Sequence, residues 1–206
     1  MVTIMHVLFF PCEWVSCGKI PLQGPPAFGI SLPLLKKSDM RRQSGVFDLF
    51  RETTEKLDGD GALLVAGIPP NPMTIGWGTL GIIWGKPVLQ VYVRPTRHTY
   101  ELMERSSEFS VCFFSGEYSR EMAVCGTRSG RDTDKLLACG FHTEKGILIR
   151  SPYIRESIFH YECRIIHKHR LDPETLDRKI MKRYYPQKDY HMVYYGEILG
   201  TFVIER

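Results

Sequence analysis

From Val46 onward, hydrophobic and polar positions fall into readable periods. In "VFDLFRETTEKL", Phe47, Phe50 and Leu57 lie near helical spacing, which predicts a short amphipathic helix. "GALLVAG" reads as a buried strand. "NPMTIGWGTLGIIWG" opens with a turn and continues as strand, with Gly76, Gly78 and Gly81 inside it; glycine within a strand marks a bulge or a close approach to the backbone. "PVLQVYV" and "EFSVCFF" read as strands, "HTYELMERS" and "SREMAVCG" as helices. "GRDTDKLLACG" reads as a loop leading into a helix, with Asp132 or Thr133 as N-cap and Gly140 near its end. "GILIR", "SIFHYECRIIHKH" and "HMVYYGEILGTFVIE" complete the strands, and the polar helical segment "DPETLDRKIMKRYY" separates the last two. Most strands lack the regular long crossover helices of a parallel sheet. The pattern therefore predicts a mainly β fold, an antiparallel barrel of six or seven strands with helical decoration.

Residues 1–39 differ. They carry Pro11, Pro21, Pro25, Pro26 and Pro33 and no clear period, the mark of a poorly packed extension. A dangling arm, an arm wrapping a second subunit, and an upstream extension before a start at Met40 all fit; the last is the expectation adopted. The domain is then 40–206.

Composition narrows the function. Hydrophobic residues make up 43% and charged residues 24%, an ordinary globular balance, and the net charge of +4 suits anionic ligands without the dense basic surface of a nucleic-acid binder. Cysteines 12, 17, 112, 125, 139 and 163 form no C-x-x-C and no paired metal spacing. They read as reduced thiols of a cytoplasmic protein. No apolar run approaches the roughly 20 residues that span a bilayer, and "TIMHVLFF" makes a poor signal peptide.

Three segments carry candidate chemistry. In "NPMTIGWG", a threonine hydroxyl and exposed peptide groups stand beside the flat surface of Trp77, an arrangement suited to a planar heteroaromatic ligand. Alone it equally describes a core strand in which Trp77 packs. In "VYVRPTRHTY", Pro95 ends a strand where a helix begins, and Arg94, Arg97, Thr99 and Tyr100 surround that start. Guanidinium forks and free helix N–H groups bind phosphate, although surface arginines at a solvated strand end read the same way. In "CGTRSGRDTDK", Ser129 and Gly130 can offer a nest of N–H groups, with Arg128, Arg131 and Lys135 supplying charge, or form an ordinary exposed loop.

Together with the late "YYPQKDYHMVYYGEI", these segments occur in this order in the flavin reductase-like family, the FMN-binding split β-barrel proteins that include flavoredoxins. The chain resembles that family from about residue 40 to residue 206. The resemblance implies a six-stranded antiparallel Greek-key split barrel and a homodimer, with FMN near the subunit interface. It puts Met73, Thr74, Trp77 and Gly78 along the isoalloxazine ring. Arg94, Pro95, Arg97, Thr99 and Tyr100 hold the ribityl-phosphate arm. Ser129, Gly130, Arg131, Asp132 and Lys135 close over the phosphate or the ribityl hydroxyls. His191 is the one candidate for contact with substrate or the ring edge; a loop histidine without a role fits equally.

Other groups point to less. His167 and His169 share a strand face but lack a third ligand, so no metal site is expected. Glu197 reads as a structural partner for an arginine. The function expected is that of an NAD(P)H-dependent oxidoreductase working through bound FMN, with free flavin, a small molecule or a redox protein as acceptor. A flavin-binding electron carrier or sensor without its own nicotinamide site is the alternative, and an anion-binding scaffold that has lost flavin is a more distant one. The sequence does not choose NADH over NADPH. It favours FMN over FAD only through the compactness of the arginine-rich cradle.

Overall fold

A computed structural model describes residues 41–205; the expectations for residues 1–39 lie outside them. In chain order the elements are β1 (Arg41–Ser44), α1 (Phe50–Asp58), β2 (Ala62–Ala66), β3 (Asn71–Ile75), β4 (Gly78–Ile83), β5 (Lys86–Val93), α2 (His98–Arg105), β6 (Glu108–Phe113), α3 (Ser119–Thr127), α4 (Lys135–Cys139), β7 (Thr143–Glu144), β8 (Tyr153–Ile154), β9 (Phe159–Arg170), α5 (Arg178–Tyr184) and β10 (Met192–Ile204). No described helix is long and apolar enough to cross a membrane.

Eight strands form one antiparallel sheet in the order β3-β2-β6-β9-β10-β5-β4, with β1 joining β10. The thirteen-residue β10 organises it: its first half pairs with β5, its last four positions pair with β1, and β9 runs along the other side. The expected six or seven strands undercount this sheet because β1 was not legible and one predicted strand is two. The chain breaks at Gly76 and Trp77. β3 pairs with β2, whereas β4 folds back on β5, so the two halves of "NPMTIGWGTLGIIWG" belong to opposite ends of the sheet.

The apolar run of β2 is buried on both faces. Ala62, Leu64 and Ala66 join the main core with Phe109, Phe113, Tyr161 and Tyr194. Leu63 and Val65 face a second core built from Phe114, Met122, Cys125 and Phe141, which fixes α3 against the sheet. Helix α1 lies in the predicted segment but starts four residues late, at Phe50; it buries Thr53 and Leu57, while Phe47 and Phe50 stay exposed.

Two expectations are corrected. "GILIR" is not a strand. Its backbone donors go to carboxylates instead of a neighbouring strand: the Ile147 and Leu148 N–H groups donate to Glu162 at 2.8 and 2.6 Å, and the Arg150 N–H donates to Glu108 at 2.8 Å. Helix α4 begins later than predicted. The N–H groups of Asp132 and Thr133 turn back to the Ser129 carbonyl, and the cap is Asp134, whose carboxylate accepts from the Leu137 N–H at 3.1 Å. Gly140 ends this helix in the left-handed region at φ 65°, as a C-terminal glycine does.

Candidate functional site

The three segments converge. The end of β3 and the break after it, the mouth of β5 and the turn before β10 enclose a cleft of about 230 Å³. Met73, Thr74, Trp77, Arg94, Arg97 and His191 line it, together with Ile75, Gly76, Tyr92 and Gly126. A smaller pocket of about 120 Å³ adjoins it and shares Met73, Arg97 and Gly126; Ser129, Gly130, Arg131, Lys135, Asn71 and Thr99 are among its walls. A flat, ring-lined space thus opens into a cationic one.

Trp77 is 40% exposed at the ring end. His191 lies 4.9 Å from it between ring centroids, and Tyr184 meets it edge-on at 5.2 Å. His191 is 7% exposed, and its Nδ1 is 2.8 Å from the Tyr185 hydroxyl. Burial, reinforced by the Arg94 charge, pulls its imidazole down to about 4, so the ring is neutral at pH 7. In the tautomer where the tyrosine donates to Nδ1, Nε2 carries the proton and is a hydrogen-bond donor. The Thr74 hydroxyl is already used, donating to the Met122 carbonyl at 2.6 Å.

The arginines divide. Arg94 is a framework residue: it donates to Asp189 at 2.5 Å and to the Tyr184 carbonyl at 2.8 Å, and its guanidinium lies 5.2 Å from the Tyr185 ring centroid. Burial works against the Asp189 carboxylate, but the hydrogen bond and the charge of Arg94, with smaller local contributions, together outweigh it, and its pKa lies below the ordinary value. This pair anchors the end of α5 and the loop before β10 at the cleft. Arg131 is also engaged, donating to Glu101 at 2.6 Å. Arg97 forms no ion pair or side-chain hydrogen bond with any described residue, yet lines both pockets. It stands at the N-cap of α2, which has no side-chain cap, so the first N–H groups of that helix are open to an anion.

Lys135 is the unusual member. It is 4% exposed, and its Nζ donates to the Cys125 carbonyl at 3.1 Å. It has no carboxylate partner among the described residues. Burial holds its pKa below the ordinary lysine value. A buried ammonium without a counter-charge is costly, and an anion in the pocket it lines would relieve that cost.

The other sequence candidates take supporting places. Thr99 is buried, and its hydroxyl accepts from the Asn71 side-chain amide at 2.8 Å. Gly130 lies so close to Asn71 that a Cβ there would fall 2.0 Å from the amide oxygen, so a larger residue would force the buried Asn71 amide, bonded to Thr99, to move. Tyr100 packs on the main core, and Pro95 and Gly78 line neither pocket. Asp132 lines neither pocket but an adjoining groove with Pro69 and Pro70, which shares Asn71, Gly130, Arg131 and Lys135 with the smaller pocket. Glu197 pairs with Lys86 and Arg164. Sequence reasoning missed Asn71, Tyr92 and Gly126. The glycine next to Cys125 was a signal; the other two sit in ordinary strand text.

Comparison with known proteins shows a family match and a shared fold. The family pattern described as a flavin reductase like domain matches residues 58–205. The structure resembles a flavoredoxin from Methanosarcina acetivorans, 26% identical, with a TM-score of 0.54 over 69% of this chain and 67% of that one. It also resembles an FMN-binding domain of a flavin reductases-like enzyme from Shewanella baltica, 17% identical, with a TM-score of 0.57 over 80% of this chain and 77% of that one. An uncharacterized protein of Archaeoglobus fulgidus is 26% identical over 55% of this chain and 64% of its own length, less than two thirds of that relative. The sheet is a split barrel of the kind these solved structures share.

Proposed function

The chain belongs to the flavin reductase-like domain family, and from that premise we propose that it is an FMN-binding oxidoreductase reduced by NADH or NADPH. Lys135 is the observation that carries this reading: a buried cation with no carboxylate partner among the described residues lines a pocket continuous with a ring-lined cleft. That order, flat space and then cation, fits a flavin mononucleotide with its phosphate at Lys135, Arg97 and the start of α2. Ser129 and Gly130 close the loop over it. Trp77 offers a face to the ring, and the neutral His191 offers an Nε2 proton at its edge.

Bound there, the flavin would supply the hydride and electron chemistry, and the chain's own task is to bind, orient and tune. A proton donor at the ring edge stabilises negative charge that develops in reduction. Arg94 acts through Tyr185, Asp189 and the backbone of Tyr184, holding the His191 side of the cleft in place. A homodimer, a cytoplasmic setting, and an acceptor that is free flavin, a small molecule or a redox protein belong to the same proposal.

The likeness to a flavoredoxin supports a second reading, an electron carrier without its own nicotinamide site. One experiment tests both. The protein is loaded with FMN, freed of excess and titrated anaerobically with NADH and then NADPH. Retained flavin bands that bleach support the reductase. Bands that fade only with dithionite support the carrier, and a protein that holds no flavin refutes both as bound-flavin proteins.

A further inference from the structure

The ring end of the cleft has a second cationic neighbour. Helix α5 carries Arg178, Lys179, Lys182 and Arg183, all exposed. Arg178 and Lys182, and likewise Lys179 and Arg183, are four residues apart, so the four cations form one face. None of them pairs with a described acid. Three of the nearby acids have local partners. Asp177 caps the helix, accepting from the Lys179 and Ile180 N–H groups at 2.8 and 3.1 Å. Asp172 accepts from the Glu174 N–H at 2.9 Å, and Asp189 pairs with Arg94. Asp172, Glu174 and Asp177 are themselves exposed, but none of them pairs with the four cations, which face solvent without a described carboxylate partner.

This face is coupled to the cleft through two ring contacts. The Arg183 guanidinium lies 5.0 Å from the Tyr184 ring centroid, and Tyr184 meets Trp77 edge-on. No α5 residue lines the pocket of Lys135 and Arg97. FMN has a single phosphate. With that phosphate at Lys135, the flavin has no anion left for α5, so the second set of cations calls for a second phosphorylated ligand at the ring end.

We propose that the basic face of α5 binds the 2′-phosphate of NADPH and makes this protein select NADPH over NADH. The inference rests on the flavin reading above. A phosphate monoester is a compact dianion suited to a mixed Arg and Lys face, and Tyr184 at the end of α5 borders Trp77 at the ring end of the cleft. An acidic protein surface would also be attracted. The coupling of Arg183 to the cleft wall through Tyr184 favours the small ligand.

The test uses the FMN-loaded full chain and isothermal titration with adenosine 2′,5′-bisphosphate and with 5′-AMP. The bisphosphate is expected to bind at least tenfold more tightly, and Arg178→Glu with Lys182→Glu should reduce that preference below twofold. The NADPH-to-NADH ratio of kcat/KM should fall about tenfold in the same variant. Flavin fluorescence reports whether the double variant still holds FMN; if it does not, Arg178→Gln with Lys182→Gln repeats the comparison without reversing charge. Equal affinities for the two adenosine phosphates, or a preference that survives both variants, overturn the proposal and leave the face to an acidic protein partner. A protein that holds FMN, is reduced by NADH and shows no 2′-phosphate preference overturns this inference alone. One that retains no flavin overturns the reading beneath it.

Discussion

Replacing Lys135 by Met separates a structural lysine from an anion-binding one, because the two roles predict opposite signs. Met keeps an unbranched apolar stem in the same space and removes only the ammonium. Lys135 is 4% exposed, and its ammonium has a single described partner, the Cys125 carbonyl. Its removal should leave stability unchanged or raise it, since an uncompensated buried charge opposes folding. The pH dependence has a definite sign. The folded-state pKa lies below the ordinary 10.5, so stability from this group rises as pH climbs between the two values. Lys135→Met abolishes that rise.

With FMN the order reverses. A hydrogen bond to a charged partner contributes about 1.5–3 kcal/mol, so the loss should weaken FMN binding roughly ten- to a hundredfold. Take about thirtyfold as the middle of that range. At a flavin concentration of about 100 wild-type Kd, ligand linkage stabilises the wild type by about 2.7 kcal/mol and the variant by about 0.9. For a domain of this size that difference is roughly 4–8 °C in Tm. Thermal unfolding of both proteins with and without FMN reads it directly. A variant less stable without flavin, with an unchanged ligand-induced shift, would refute the argument, because Lys135 would then be a structural residue.

Other outcomes follow from the same geometry. Arg97→Ala should weaken FMN retention about tenfold, by the same hydrogen-bond magnitude, with folding stability changed by less than about 0.5 kcal/mol because the side chain has no described partner; equilibrium dialysis with unchanged affinity would remove it from the phosphate site. Gly130→Ala should drive a Cβ into the Asn71 amide, destabilise the fold by about 1–3 kcal/mol and impair flavin binding, as read by urea unfolding and FMN titration. His191 carries a folded pKa of about 4 against an ordinary 6.5, so its contribution to stability is lost as pH falls through that interval. His191→Gln should lessen the loss of urea midpoint between pH 7 and pH 5, and an equal loss in both proteins would show that another group governs it.

Much of the site was legible because its parts are local. The end of β3, the β5–α2 junction and the loop before α4 each carry their chemistry within about ten residues, and strand and helix periods fix their local form. Helix α1, β2 and the glycine cap of α4 followed from spacing and backbone preference for the same reason. What depended on distant partners was not legible. "GILIR" has strand composition, but Glu162 and Glu108 take its N–H groups, and those carboxylates reach it only after β6 and β9 have paired. The break at Trp77 is decided by β2 and β5 competing for the two halves of one apolar run. Arg94 and Arg97 look equivalent in "VRPTR"; Asp189, brought in from 95 residues away, makes one a framework cation and leaves the other free. Sequence offers Lys135 as a cation beside the anion nest, but its burial beside the second core is decided only by the tertiary structure. Sequence determined which groups are present and their local geometry. Tertiary structure determined which charges are already neutralised, and that difference separates a ligand site from a scaffold.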